Sequence, residues 1–213
     1  MVGLFFGKKA LEDQTPFGLK RMSAEDTPEL YPATTTEFAA PVKADNPEVA
    51  TFRPLLAKTQ LERKPLRLAY NANKDGYTSE AFHAAVDTFG AAVVVARTAG
   101  GAVLGAYNPR GWIGIGEDRD ALAAFLFTWP DGNTSKPAVK LPKVGGPGLA
   151  VIDRGGIQFG AEGLTIPLTA QAPRLAKCRL GTYYERLPGG GRSLFAEGES
   201  LKGTQLTDLK ARF

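Results

Sequence analysis

The chain has 213 residues, 43% of them apolar, and 26 Lys and Arg against 22 Asp and Glu, for a formal net charge of +4 and a pI near 9.2. That length supports one domain with its own core and room for an appendage, and so mild a positive excess demands neither nucleic acid nor an acidic membrane as partner. A single cysteine, Cys178, and a single histidine, His83, exclude a disulfide framework and any Cys/His zinc site, which takes three or four such ligands.

At the start, Met1-Val-Gly-Leu-Phe-Phe-Gly-Lys-Lys9 holds only a short apolar run, whereas a secretory signal needs ~7–15 apolar residues in its core. Glu12 and Asp13 follow at once, against a transit peptide, and Gly3 is not at the second position that myristoylation uses. No later run approaches the ~18 apolar residues of a membrane span. The expected compartment is the cytoplasm, with the cytoskeleton or a cilium as candidate locations for a structural subunit.

Residues 1–65 differ from the rest. Prolines recur at 16, 28, 32, 41, 47, 54 and 65, each removing a backbone donor and disfavouring helix just before it. The sparse apolar residues follow neither a 2-residue nor a 3.6-residue period. Residues 1–60 carry 7 basic and 8 acidic side chains, leaving 19 and 14 for the remainder. The segment reads as an extended N-terminal arm of low regular structure. Either it is a free tail, or it wraps a protein partner and seats spaced aromatics, Phe17, Tyr31, Phe38 and Phe52, in separate pockets.

Residues 66–213 read as an α+β domain. Leu66–Tyr70 alternates like a strand. Asp75-Gly76 marks a turn, and Thr78 or Ser79 caps a helix over 79–89 with Phe82, Ala85, Val86 and Phe89 on one face. Ala92–Arg97 and Ala102–Tyr107 form a hairpin about Gly100-Gly101. A buried strand over Ala123–Trp129 ends at Pro130-Asp-Gly132. Short strands follow at 138–141, 149–153, 157–159 and 164–168, residues 173–200 are less regular, and Leu206–Phe213 closes the domain. Short strands parted by Gly, Pro and Asp turns predict antiparallel sheets packed as a sandwich with flanking helices.

Few residues invite chemistry. Gly114-Ile-Gly116 lacks the third glycine of a dinucleotide loop, Gly145-Gly-Pro-Gly148 lacks the lysine and hydroxyl of a phosphate loop, and Pro188–Arg192 is a plain turn. His83 has no sequence-evident nucleophile beside it. Cys178, between Lys177 and Arg179, is either a small half-buried apolar residue or a thiol that its basic neighbours make oxidisable. Glu117, Asp118 and Asp120 suit a solvated helix start better than a cation site. Lys136, Lys140 and Lys143 line one segment and offer either a contact for an acidic partner or a solvated sheet face. No catalytic residue, cofactor, metal or small-molecule substrate is expected.

Several strings together resemble one family. Leu68-Ala-Tyr-Asn-Ala-Asn-Lys-Asp-Gly-Tyr-Thr78 followed by Phe82-His83 is similar to the opening of TLDc domains. In the family's order follow Val93–Thr98 with Gly101–Tyr107, then Trp112, Asp120 and Ala124–Phe127, then Gly146–Asp153 with Ile157–Gly160 and Gly163-Leu164. Leu180–Pro188 with Ser193-Leu-Phe195 looks like the plant and green-algal type. The end departs from the animal pattern, because Leu206–Phe213 lacks its closing Trp. The resemblance implies two antiparallel sheets with flanking helices and no established catalytic apparatus. It also implies an association with oxidation resistance and with regulating the vacuolar-type ATPase, as known for animal and fungal members.

The expected function is therefore a non-enzymatic interaction module that docks on a larger assembly, its arm wrapping a partner. The alternative is a regulator of the vacuolar ATPase, or an oxidation-resistance protein using Cys178.

Overall fold

A computed structural model describes residues 23–114, 118–144, 151–152, 156–200 and 202–213. Eleven strands occur in chain order among them: β1 Leu68–Asn71, β2 Ala92–Thr98, β3 Val103–Asn108, β4 Asp118–Arg119, β5 Phe125–Trp129, β6 Val139–Pro142, β7 Val151–Ile152, β8 Ile157–Phe159, β9 Leu164–Ile166, β10 Leu175–Cys178 and β11 Thr204–Arg212. Nine join one antiparallel network in the order β6-β5-β3-β2-β11-β10-β9-β8, while β1 also pairs with β11 and β4 pairs with β7 apart.

Strand β11 is where the network divides. Its residues 206–212 bond β2 along one edge. On the other edge its end takes β1, through Lys210, Ala211 and Arg212, and its start takes β10, through Thr204 and Gln205. Val94, Leu104, Leu126 and Leu209 of the central strands lie in one apolar cluster with Ile157, Phe159, Leu164 and Cys178 of the β8–β10 limb. The fold is thus a mostly antiparallel, sandwich-like α+β domain whose two layers are limbs of one hydrogen-bonded network.

Side chains alternate across a strand, and here both faces are buried. On β5, Leu126 enters the first cluster while Phe125, Phe127 and Trp129 enter a second. On β3, Leu104 and Ala106 face one way, Val103 and Tyr107 the other. Gly105 leaves room on the second face, because a Cβ there would collide with Cζ of Phe127 and with the carbonyl oxygen of Val94.

An antiparallel sheet commonly leaves one face to water. Here Val49, Phe52, Leu55, Leu56 and Leu61 cover it. They lie on helix α1, Pro47–Phe52, the 3₁₀ turn Arg53–Leu56 that continues it, and the loop beyond. The Asn46 side chain accepts from Val49 N at 2.9 Å and caps α1, with Pro47 at its first position. Residues 46–64 therefore pack as part of the folded body, where low regular structure was expected. Their period is invisible in sequence because the covering piece is six helical residues and a single turn.

Two further helices follow β1. Helix α2, Ala72–Asp75, ends at Gly76, whose φ of 98° suits glycine. Helix α3 spans Ser79–Val86 and takes its cap from Thr78, which accepts from Ala81 N at 3.1 Å. It stops short of 89: Asp87 is extended and Thr88 has φ 68°. Phe89 is thereby turned outward, 56% exposed, instead of joining Phe82 and Val86 in the core. Strand β10 lies within the stretch expected to be irregular, and Asp118–Arg119 is a strand where a helix start was expected.

Candidate functional site

The large aromatic residues Phe82, Phe125, Phe127 and Phe159 are fully buried, and Trp129 nearly so. The candidate partner residues divide. Phe52 is 1% exposed and stacks toward Phe127 with ring centroids 6.4 Å apart, so it is a core residue and not part of an exposed aromatic row. Tyr31 and Phe38 are exposed, Phe38 at 62%. Phe17 lies outside the described residues.

Several contacts tie the segment carrying Tyr31 and Phe38 to the domain. Ala39 N donates to the Pro54 carbonyl at 2.9 Å. Gln60 Nε2 donates to Glu29 at 3.0 Å. Lys58 pairs with Glu37 at 2.8 Å, and the hydrogen bond to that carboxylate raises the lysine's pKa. A 3₁₀ turn at Pro28–Leu30 precedes Tyr31. Between this segment and residues 57–64 runs a groove of about 960 Å³.

Beneath it, Arg53 is the polar knot that shapes the covering piece. Its guanidinium donates to both oxygens of Asp45 at 2.6 Å and to the carbonyls of Leu61 at 2.7 Å and Lys64 at 3.0 Å. The group is buried and so is Asp45, which makes each dependent on the other. Helix α1 is further joined to β11 by Glu48, which accepts from Arg212 at 2.7 Å and Lys210 at 3.2 Å.

The three lysines do not share a face. Lys136 is exposed and pairs with Asp131 at 2.7 Å. Lys140 points into the covered side, 4.1 Å above the Phe125 ring, and donates to the Leu55 carbonyl at 2.6 Å; burial pushes its pKa down to about 8. Lys143 has a nearly buried side chain and pairs with Asp120 at 3.1 Å. Alternation along a four-residue strand placed Lys140 inward, and Lys143 lies beyond the end of that strand.

Cys178 is 1% exposed, and burial pushes its thiol up to about 12, an effect the Leu194 backbone contact only partly offsets. Fast reaction with peroxide needs a thiolate that oxidant can reach, and this thiol offers neither. Lys177 is exposed, opposite in the burial alternation of β10 to Cys178, and Arg179, just beyond the strand, is exposed and pairs with Glu162 at 3.2 Å. His83 is mostly buried and its Nδ1 lies 2.8 Å from Asp87. Among the described residues, no three His, Cys, Asp or Glu side chains gather to hold a metal ion. No helix among them is long and apolar enough to cross a membrane.

One polar cluster had no sequence signal. The Glu199 carboxylate accepts from Thr98 Oγ1, Gly100 N, Ala196 N and Thr204 Oγ1. Burial alone would raise its pKa, but these four donors outweigh it and hold the group low. It clamps the 196–204 loop onto the β2–β3 hairpin.

The sandwich-like layers, the Asp75-Gly76 turn and the aromatic core define a TLDc-type domain. The TLDc family model matches residues 44–182, and the chain belongs to this family. The matched region opens two residues before the cap of α1, in keeping with the packing of that helix on the sheet. No curated protein matches the sequence.

Proposed function

We propose that this TLDc chain is a non-catalytic interaction module that docks on a larger protein assembly, with residues 23–45 presenting Tyr31 and Phe38 to the partner. The observation carrying this reading is the pairing of exposure with anchorage. Phe38 stands outward, yet the backbone N–H of its neighbour Ala39 donates to the Pro54 carbonyl of the covering piece. An aromatic held in place before binding loses little freedom on binding, which favours it as an anchor.

The assembly is either a cytoskeletal lattice, cytoplasmic or ciliary, along which the segment acts as a staple, or the vacuolar-type ATPase that the family resemblance suggests. Cross-linking and co-precipitation of the full chain from its native cells separates the two. The double variant Tyr31→Ser, Phe38→Ser should lose the principal partner while its thermal unfolding stays unchanged. Retention of every partner by that variant ends the proposal.

A further inference from the structure

A second exposed apolar site lies far along the chain from Phe38. Where α3 ends, Thr88 adopts φ 68° and Gly90 φ 85°. A β-branched residue rarely takes that conformation, and it is kept there because Thr88 N donates to the Trp112 carbonyl at 2.8 Å. The result is an exposed Phe89 lying 5.2 Å from the ring of Phe213 at the end of β11. With Leu68, itself 46% exposed, and Ala85, these rings wall a cleft of about 410 Å³ along β1. Local backbone strain that turns an aromatic toward water is a pointer to use.

The chemistry of the occupant follows from what borders the cleft. Arg67 is the one charged side chain among its described lining residues. Among the described residues, strand β1 pairs on one side only, with β11, and an unpaired strand edge accepts an added extended segment.

We propose that this cleft receives an extended segment of a partner protein that carries apolar side chains flanked by carboxylates. The apolar groups sit against Phe89, Phe213 and Leu68, and a carboxylate meets Arg67. This rests on the interaction-module reading and adds to it a second contact point with its own chemistry.

The test uses the full chain and a fluorescein-labelled peptide alternating Leu or Phe with Asp, against the same peptide with Lys in place of Asp, read by fluorescence anisotropy. The acidic peptide should bind, and the lysine peptide should not. Arg67→Glu and Phe89→Asp should each weaken binding about tenfold or more, the former in a salt-sensitive way, and Arg67→Glu should gain affinity for the lysine peptide. Both positions are exposed, and unchanged thermal unfolding verifies that each variant folds. Equal binding of the two peptides, or indifference to Phe89→Asp, overturns the proposal. A dimer by sedimentation that Phe89→Asp splits assigns the cleft to a second copy and overturns it too. If the peptide fails while the Tyr31 and Phe38 variant still loses its partner, the cleft proposal falls and the module reading stands.

Discussion

Arg53 shows how much one side chain can decide. Its donors are directed at Asp45 and at carbonyls of the 61–64 loop, so the guanidinium is the internal scaffold of a piece with little secondary structure. Arg53→Met leaves Asp45 and several carbonyls buried without a donor. Breaking a buried pair in this one-sided way costs about 3–5 kcal/mol, and urea unfolding should show a loss of that order. The double variant Arg53→Met, Asp45→Leu should recover part of it. Nothing in the string Thr51–Leu55 distinguishes this arginine from an exposed one, because its partners lie 8 to 11 residues away in loops. Cys178 teaches the converse: of the two readings its sequence left open, burial favours the apolar one, because the thiol lies inside while Lys177 and Arg179 are exposed.

At the scale of elements, the covering piece 46–64 decides where the domain begins. Removing residues 1–43 should leave the fold intact, since α1 keeps its Asn46 cap, its Arg53 knot and its Glu48 bridges to β11. Removal of 1–65 should uncover Val93, Val103, Tyr107, Phe125, Phe127 and Trp129 together. An exposed aromatic face of that size favours aggregation. Size-exclusion chromatography and a thermal melt check both, and a soluble, cooperatively unfolding 66–213 fragment would contradict the packing argument. The hairpin β2–β3 and the cap of α3 were legible in sequence because turn glycines and a capping threonine act locally. The end of α3 was not, since a tertiary bond from Thr88 N to Trp112 stops it.

For the whole molecule, burial of titratable groups ties stability to alkaline pH. Cys178, Tyr70, Tyr107 and Tyr184 all have raised pKa values, burial being the chief cause for each. Below about pH 9 both the folded and unfolded states keep these protons. As pH climbs from about 9 for the thiol and 10 for the phenols, the unfolded state releases protons that the fold retains, so their contribution to stability is lost there. Lys140 acts in the opposite sense. Its amine is neutral in the fold above about 8 but stays charged in the unfolded chain up to about 10.5, so its contribution rises across that window. Denaturant midpoints measured from about pH 7 to 11 should fall at the top of the range. The stability of Lys140→Met relative to the parent should decline between about pH 8 and 10.5; a difference independent of pH would contradict the burial of that amine.

By itself the sequence determined the family, the antiparallel central strands, the Gly100-Gly101 hairpin and the capped helix after Asp75-Gly76. Apart from the family, which took several separated strings read together, each rests on a signal contained in a few consecutive residues: a period of two, a turn pair, a cap. Tertiary structure alone decided that residues 46–64 close the second face of the sheet, that Phe52 turns inward while Phe38 and Phe89 turn outward, that Lys136, Lys140 and Lys143 part company, and that Glu199 clamps a distant hairpin. The reason is that burial of a second sheet face, and the choice of which distant carbonyl or carboxylate meets a charge, depend on contacts between segments whose own lengths are too short to carry a period.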